Sequence, residues 1–388
     1  MVLLWLVTIA VLLAGGMGIA LLGSVKVPLA RKLGIDEARV GGLISMFGLA
    51  LIPVMLSVGF VTDLVGKRPV VIGGSLLMAA SLIVLAVARR YGHALVGVLL
   101  LSASWGAVVN VVNPLAAMVF GGKPAYSMNL ACFFFGGGAF LTPLAIAGLL
   151  RLGSLTRALF VLAGVLVVPV ALALGADFSL LATGASGPGS AGAPVAGVAS
   201  LLTDPVMWLC ALAFLFFFPL EAATGAWTTT YLGDSGLSEG AASGMLSAFW
   251  LIYTASRLVT ALAVRTLGLP PGGEAVLILV LAAASVAVLS GIVWGRGRAM
   301  AITMILAAGI IFAPIFPNIM AVLLGHFEPA VHGRAVGLLF AIGSIGTVTI
   351  PAAMGAYAKR TSVKRGFLIA VGSAVCLTVL ALILVLKG

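Results

Sequence analysis

Long apolar stretches and short polar interruptions alternate along the chain, and the length of the stretches decides the element type. Breaks at charges and Gly/Pro clusters leave runs near 3–25, 40–61, 69–88, 94–120, 125–150 and 156–176. A second set follows near 203–232, 240–264, 273–294, 299–324, 331–357 and 366–386. A helix needs about 20 apolar residues to cross a hydrocarbon core ~30 Å thick, and every run is near that length. Membrane strands would alternate apolar and polar over about ten residues, which these unbroken runs do not. The pattern predicts an all-α membrane protein with twelve transmembrane helices. The first run begins at Met1 without a small-residue cleavage site and reads as a true span, not a removable signal.

Between the two sets lies "DFSLLATGASGPGSAGAPVAGVAS", residues 177–200, with five glycines between 184 and 197 and two prolines. It reads as a flexible linker between a six-helix bundle at 1–176 and another at 201–388. The halves also echo each other. Shifted by 202 positions, "GIDEARVGGLISMFGL" (34–49) lies on "GLSEGAASGMLSAFWL" (236–251), sharing Gly, Glu, Gly, Ser, Phe and Leu. "GAFLTP" (138–143) and "GTVTIP" (346–351) share Gly-x4-Pro near the middle of the fifth span of each half. Both echoes point to a duplicated, pseudo-symmetric unit, a recurring design of secondary transporters with a solute site near the bilayer midplane.

Composition agrees with the pattern: 62% of residues are hydrophobic, 8% are charged and the mean hydropathy is +1.29, whereas soluble domains carry roughly a quarter charged residues. The net charge of +11 does not imply nucleic acid, since no soluble basic domain or arm is left over to bind it. His93, His326 and His332 are expected in loops, and no metal cluster or nucleophile-base constellation is evident, so neither an enzyme nor a cofactor is expected. Cys132, Cys210 and Cys376 fall within apolar spans and read as core residues.

Polar groups inside the spans therefore carry the chemistry. Of the ten acidic residues, Glu221 alone lies mid-span, in "FLFFFPLEAATGAW". A carboxylate costs several kcal/mol in hydrocarbon, so it is expected to face the bundle interior or water and to bond solute hydroxyls or carry a coupling proton or cation. Pro219 and Gly225 flank it and predict a bend. The chain has no Gln and four Asn, Asn110, Asn113, Asn129 and Asn318, all in predicted spans. Asn110 and Asn113 share a helix face, so cavity lining is expected of them, with interhelical bonding as the alternative. Trp105 and Trp227 could stack on a sugar ring; Trp227, six residues from Glu221, is the first choice. Tyr231, Trp250 and Tyr253 are further candidates for a sugar's apolar face, with packing or an interface belt as the alternative and the belt favoured for Tyr231, near a span end. Arg257 is the other intramembrane charge, a structural or gating group or an anion-binding one.

The loop "GFVTDLVGKRP" (59–69) resembles the Gly-x3-Asp-x2-Gly-x-Arg signature of the major facilitator superfamily. Gly59, Asp63 and Gly66 fit, with the basic pair at Lys67-Arg68. "NPLAAMVFGG", "MNLA" and "IFPNIMAVL" resemble the fucose-galactose-hexose symporter group of that superfamily. The resemblance implies the major facilitator fold, in two six-helix bundles, and alternating access. It places Ser24, Val109, Cys132 and Phe135 where that group carries its carboxylates and amides. It also implies a gate in which Asp63, with Arg68, holds the dipole-positive start of span eleven beside Arg334. The Ser256-Arg257 pair resembles a Gly-Arg of helix eight in that family.

The expected function is secondary-active or facilitative transport of a small polar, sugar-like solute, coupled to a proton, to sodium or to neither. The alternatives are a proton-coupled exporter of amphipathic compounds or organic anions, and a non-transporting solute- or lipid-binding membrane protein. A monomer in a bacterial inner membrane is expected, with N-terminus and linker cytoplasmic. Counting Lys and Arg points the other way: that orientation puts six inside and fourteen outside, against the positive-inside rule.

Overall fold

The computed structural model describes residues 1–181 and 196–387. Among these, twelve helices are long and apolar enough to cross a membrane. Spans one to five are Val2–Leu33, Glu37–Val65, Lys67–Val87, Tyr91–Phe120 and Pro124–Leu152. Span six is broken into Leu155–Val165 and Val167–Gly175. Spans seven to nine are Pro205–Asp234, Glu239–Leu267 and Gly273–Trp294. Span ten is broken into Arg298–Phe312 and Ile315–His326. A short 3₁₀ turn, Pro329–Val331, leads into span eleven, His332–Arg360, and span twelve is Val363–Lys387. Short helices Phe178–Leu181 and Ala196–Thr203 flank the expected linker, whose residues 182–195 lie outside the described residues.

Two details differ from the sequence reading. Span one, expected near 3–25, runs on to Leu33 with Pro28 inside the helix. The histidines are not in loops: His93 sits in the first turn of span four, His326 ends span ten and His332 begins span eleven.

Lipid solvent explains the surface. Leu64, Leu152, Val259 and Leu267 are each more than 60% exposed, which water would penalise and hydrocarbon does not. With no water to satisfy them, hydroxyls turn back onto their own helices. Thr8, Thr142, Thr228 and Ser285 each donate to the carbonyl four residues earlier. Helix starts are capped where sequence allows: Asp36 accepts from Arg39 N and Ser238 from Ala241 N. These two caps are equivalent positions of the 202-residue echo.

Contacts divide the chain into two compact units. One comprises Met1–Gly121, Ala131–Val198 and Phe327–Ala341; the other comprises Gly122–Leu130, Ala199–His326 and Ile342–Gly388. Each repeats the same packing: span three on span four and two on four in the first, nine on ten and eight on ten in the second. The Gly-x4-Pro echo has a physical basis. A methyl group built on Gly138 would fall on the Leu13 carbonyl, and one on Gly346 would fall on the Leu215 carbonyl. In each unit the fifth helix of the repeat thus presses bare backbone onto the first, an approach that a Cβ would forbid.

Candidate functional site

Two clusters gather most of the polar side chains singled out by sequence. The first surrounds the start of span eleven. Span two ends at Gly66, whose φ of 85° also starts span three, so one glycine turns the chain between two helices. One turn earlier, Asp63 Oδ1 accepts from Gly333 N at 2.8 Å, and Oδ2 accepts from Arg334 N at 3.0 Å and Arg334 Nε at 2.8 Å. Both side chains are nearly buried, at 8% and 12% exposure. Two orphan helix-start amides and the positive dipole end thus face a carboxylate.

Asn110 belongs to this cluster too. Its Nδ2 donates to the Gly333 carbonyl at 2.8 Å, so the Gly333 peptide is held by span two through its N–H and by span four through its C=O. Gly59 makes the approach possible: a Cβ there would stand 2.6 Å from the Gly333 oxygen. Arg68 is not brought to this pair. Its guanidinium donates to the carbonyls of Ala173 and Leu174, capping the end of span six.

The second cluster joins spans seven, eight and ten. Tyr253 Oη donates to Glu221 Oε2 at 2.8 Å and accepts from Arg257 Nη2 at 3.0 Å. The Arg257 guanidinium also lies 4.4 Å from the Tyr253 ring centroid, and its Nε donates to the Ala313 carbonyl at 3.2 Å. Arg257 is 7% exposed, so it does not snorkel to the interface. Its neighbour Ser256 donates to the Ile310 carbonyl at 2.9 Å. Both carbonyls are ones a helix would leave unpaired: Pro314 and Pro317, four residues on, have no N–H to give them. Spacing four on span eight (Tyr253, Arg257) and the Pro314-x2-Pro317 pair were the available signals; sequence reading offered Tyr253 only as a ring for a sugar to stack on, and Ser256 only as the replacement of a family glycine.

The remaining candidates are scattered. Asn113 Nδ2 donates to Val109 O, Asn129 Nδ2 to Ala125 O and Asn318 Nδ2 to Pro314 O. Buried carboxamide oxygens of Asn110, Asn129 and Asn318 have no partner among the described residues, nor does Thr224 Oγ1, one turn from Glu221. Such atoms are costly when left dry. Trp105 is enclosed, its Nε1 donating to Gly15 O at 2.8 Å and its ring meeting Phe47, Phe135 and Phe340 edge-on. Trp227 is half-buried, beside Gly355 of span eleven.

A family model described as Major Facilitator Superfamily matches residues 5–351. A curated relative, "Bypass of stop codon protein 6" of Saccharomyces cerevisiae, is 25% identical over 174 residues, 43% of this chain. The match spans about a third of that relative, 35% of its length. Among solved structures, the outward conformation of FucP, the E. coli fucose:proton symporter, superposes with a TM-score of 0.79 at 16% identity over 97% of each chain. The human organic anion transporter MFSD10 superposes with a TM-score of 0.72 at 19% identity over 98% of each. At these identities the structural likeness establishes the fold.

Proposed function

The chain belongs to the major facilitator superfamily, and on that premise we propose that this integral, multi-pass membrane transporter moves a small neutral polar solute, sugar-like in its hydroxyls, by alternating access. The observation that supports the reading is the Glu221–Tyr253–Arg257 cluster. It offers a carboxylate, a hydroxyl and a guanidinium at the level of hydrocarbon, with opposite charges in one hydrogen-bonded group. Such a cluster binds hydroxyls from several directions without demanding a charged partner. Glu221 is the group proposed to meet the solute and to carry a coupling proton; sodium is the alternative ion. Asn129 and Asn318, whose amides are otherwise bonded within their own helices, and Trp227 are proposed as secondary contacts. In this reading residues 1–176 and 201–388 move as the two halves, joined by 177–200. The Asp63 and Asn110 grip on span eleven holds one conformer closed.

Support for sugar comes from likeness to FucP; the likeness to MFSD10 supports a second reading, in which Arg257 anchors an organic anion. Competition distinguishes them. In proteoliposomes, labelled uptake is challenged with neutral hexoses and with organic carboxylates. Inhibition by hexoses alone supports the neutral-solute reading, and inhibition by carboxylates alone overturns it in favour of the anion. A bacterial inner membrane, a monomer and a cytoplasmic N-terminus are proposed with it. One-sided labelling of a cysteine introduced between residues 184 and 197 fixes the orientation.

A further inference from the structure

Span ten is broken at two prolines, yet neither freed carbonyl is left bare. Ser256 takes Ile310 O and Arg257 takes Ala313 O, so consecutive residues of span eight mend consecutive gaps in a helix 54 and 56 residues away. A purely structural mend needs no more than this. Arg257, however, also donates through Nη2 to the Tyr253 hydroxyl, which itself donates to Glu221. The guanidinium is a rigid planar fork, so its Nε and Nη2 cannot re-aim independently. The Tyr253 ring lies against it. Whatever removes the acceptor at Glu221 releases the Tyr253 hydroxyl from that carboxylate, shifts its position as an acceptor for Arg257, and loosens the hold on Ala313.

We propose that Tyr253 and Arg257 are positioning residues that make the break in span ten respond to the state of Glu221. A solute hydroxyl or proton taken up at the Glu221 carboxylate competes with Tyr253 for it. The fork then turns, and the Ala313 carbonyl loses its donor. The span bends at Ala313, where its ladder is held from outside instead of from within. The link gains its purpose from reading Glu221 as the solute site, but its geometry does not require that reading.

Hydrogen exchange of the full purified chain, without solute, tests it. The readout is the amides of residues 311–322, with those of span nine, 273–294, as reference. Four proteins form a cycle: wild type, Glu221→Leu, Tyr253→Phe and the double variant. Glu221→Leu is expected to speed exchange in 311–322 about tenfold and to leave span nine unchanged. In the Tyr253→Phe background the same replacement is expected to change exchange less than twofold. Arg257→Lys, which keeps charge but not the fork, is expected to speed exchange and erase the Glu221 response. An equal Glu221→Leu effect with and without the Tyr253 hydroxyl overturns the proposal, as does faster exchange everywhere or nowhere. Because no solute enters the experiment, the link can fail while transport stands, or hold while the solute reading fails.

Discussion

Asp63 meets three donors with two oxygens, and its partner Gly333 is held from the opposite side by Asn110. Hydrogen bonds to a charged acceptor contribute about 1.5–3 kcal/mol and neutral ones about 1 kcal/mol. Asp63→Asn is expected to lower stability by about 1–3 kcal/mol and Asn110→Ala by about 1 kcal/mol, read as thermal midpoints in detergent. The double variant is expected to lose less than the sum, because both grips act on one peptide. Additive losses would mean that the two side chains act separately.

Asp204 tests the opposite end of the chemistry, in a cap outside the membrane. Burial pushes its carboxyl up, but hydrogen bonds from His326 and from the amides of Val206 and Met207 outweigh it and hold the group below the usual range. A carboxyl depressed in the folded state stabilises fully above its unfolded value, about 3.9, and loses that contribution as pH falls through the folded value. Between pH 5 and pH 3 the wild type is expected to lose more stability than Asp204→Asn does. Parallel acid titrations of the two proteins would remove Asp204 from this role.

Helices make stronger demands at their crossings than on their faces. Gly138→Ala and Gly346→Ala each place a methyl on a neighbouring carbonyl, and overpacking costs about 1–3 kcal/mol or more. Gly148→Ala and Gly164→Ala meet nothing within 4 Å and are expected to be neutral or to gain about 0.5–1 kcal/mol. Ranking the four by thermal midpoint checks this; a harmless Gly346→Ala would contradict the crossing. The Gly-x4-Pro echo was legible in the sequence because duplication preserves spacing, but its partner Leu215 was not, since contact across helices leaves no periodic trace. Pro314 and Pro317 were equally visible as breakers. That Ser256 and Arg257 mend them was not visible, nor was the diversion of Arg68 to span six, 105 residues along the chain.

Twelve spans could be read from hydropathy because a bilayer imposes one length on every crossing. Hydropathy says nothing about which unit a helix end joins. The starts of spans five and eleven, Gly122–Leu130 and Phe327–Ala341, each cluster with the unit that does not hold the rest of the helix, an exchange the sequence concealed. The solute was also beyond reach, because one acid among apolar residues nominates a candidate site without describing an occupant. Uptake of labelled hexose into proteoliposomes, under an imposed proton gradient and without one, addresses that acid directly. Wild type is expected to accumulate solute when the gradient is applied, whereas Glu221→Gln is expected to lose gradient-driven accumulation by at least tenfold. Accumulation by Glu221→Gln equal to wild type, with the same pH dependence, would contradict any role for Glu221 in binding or coupling.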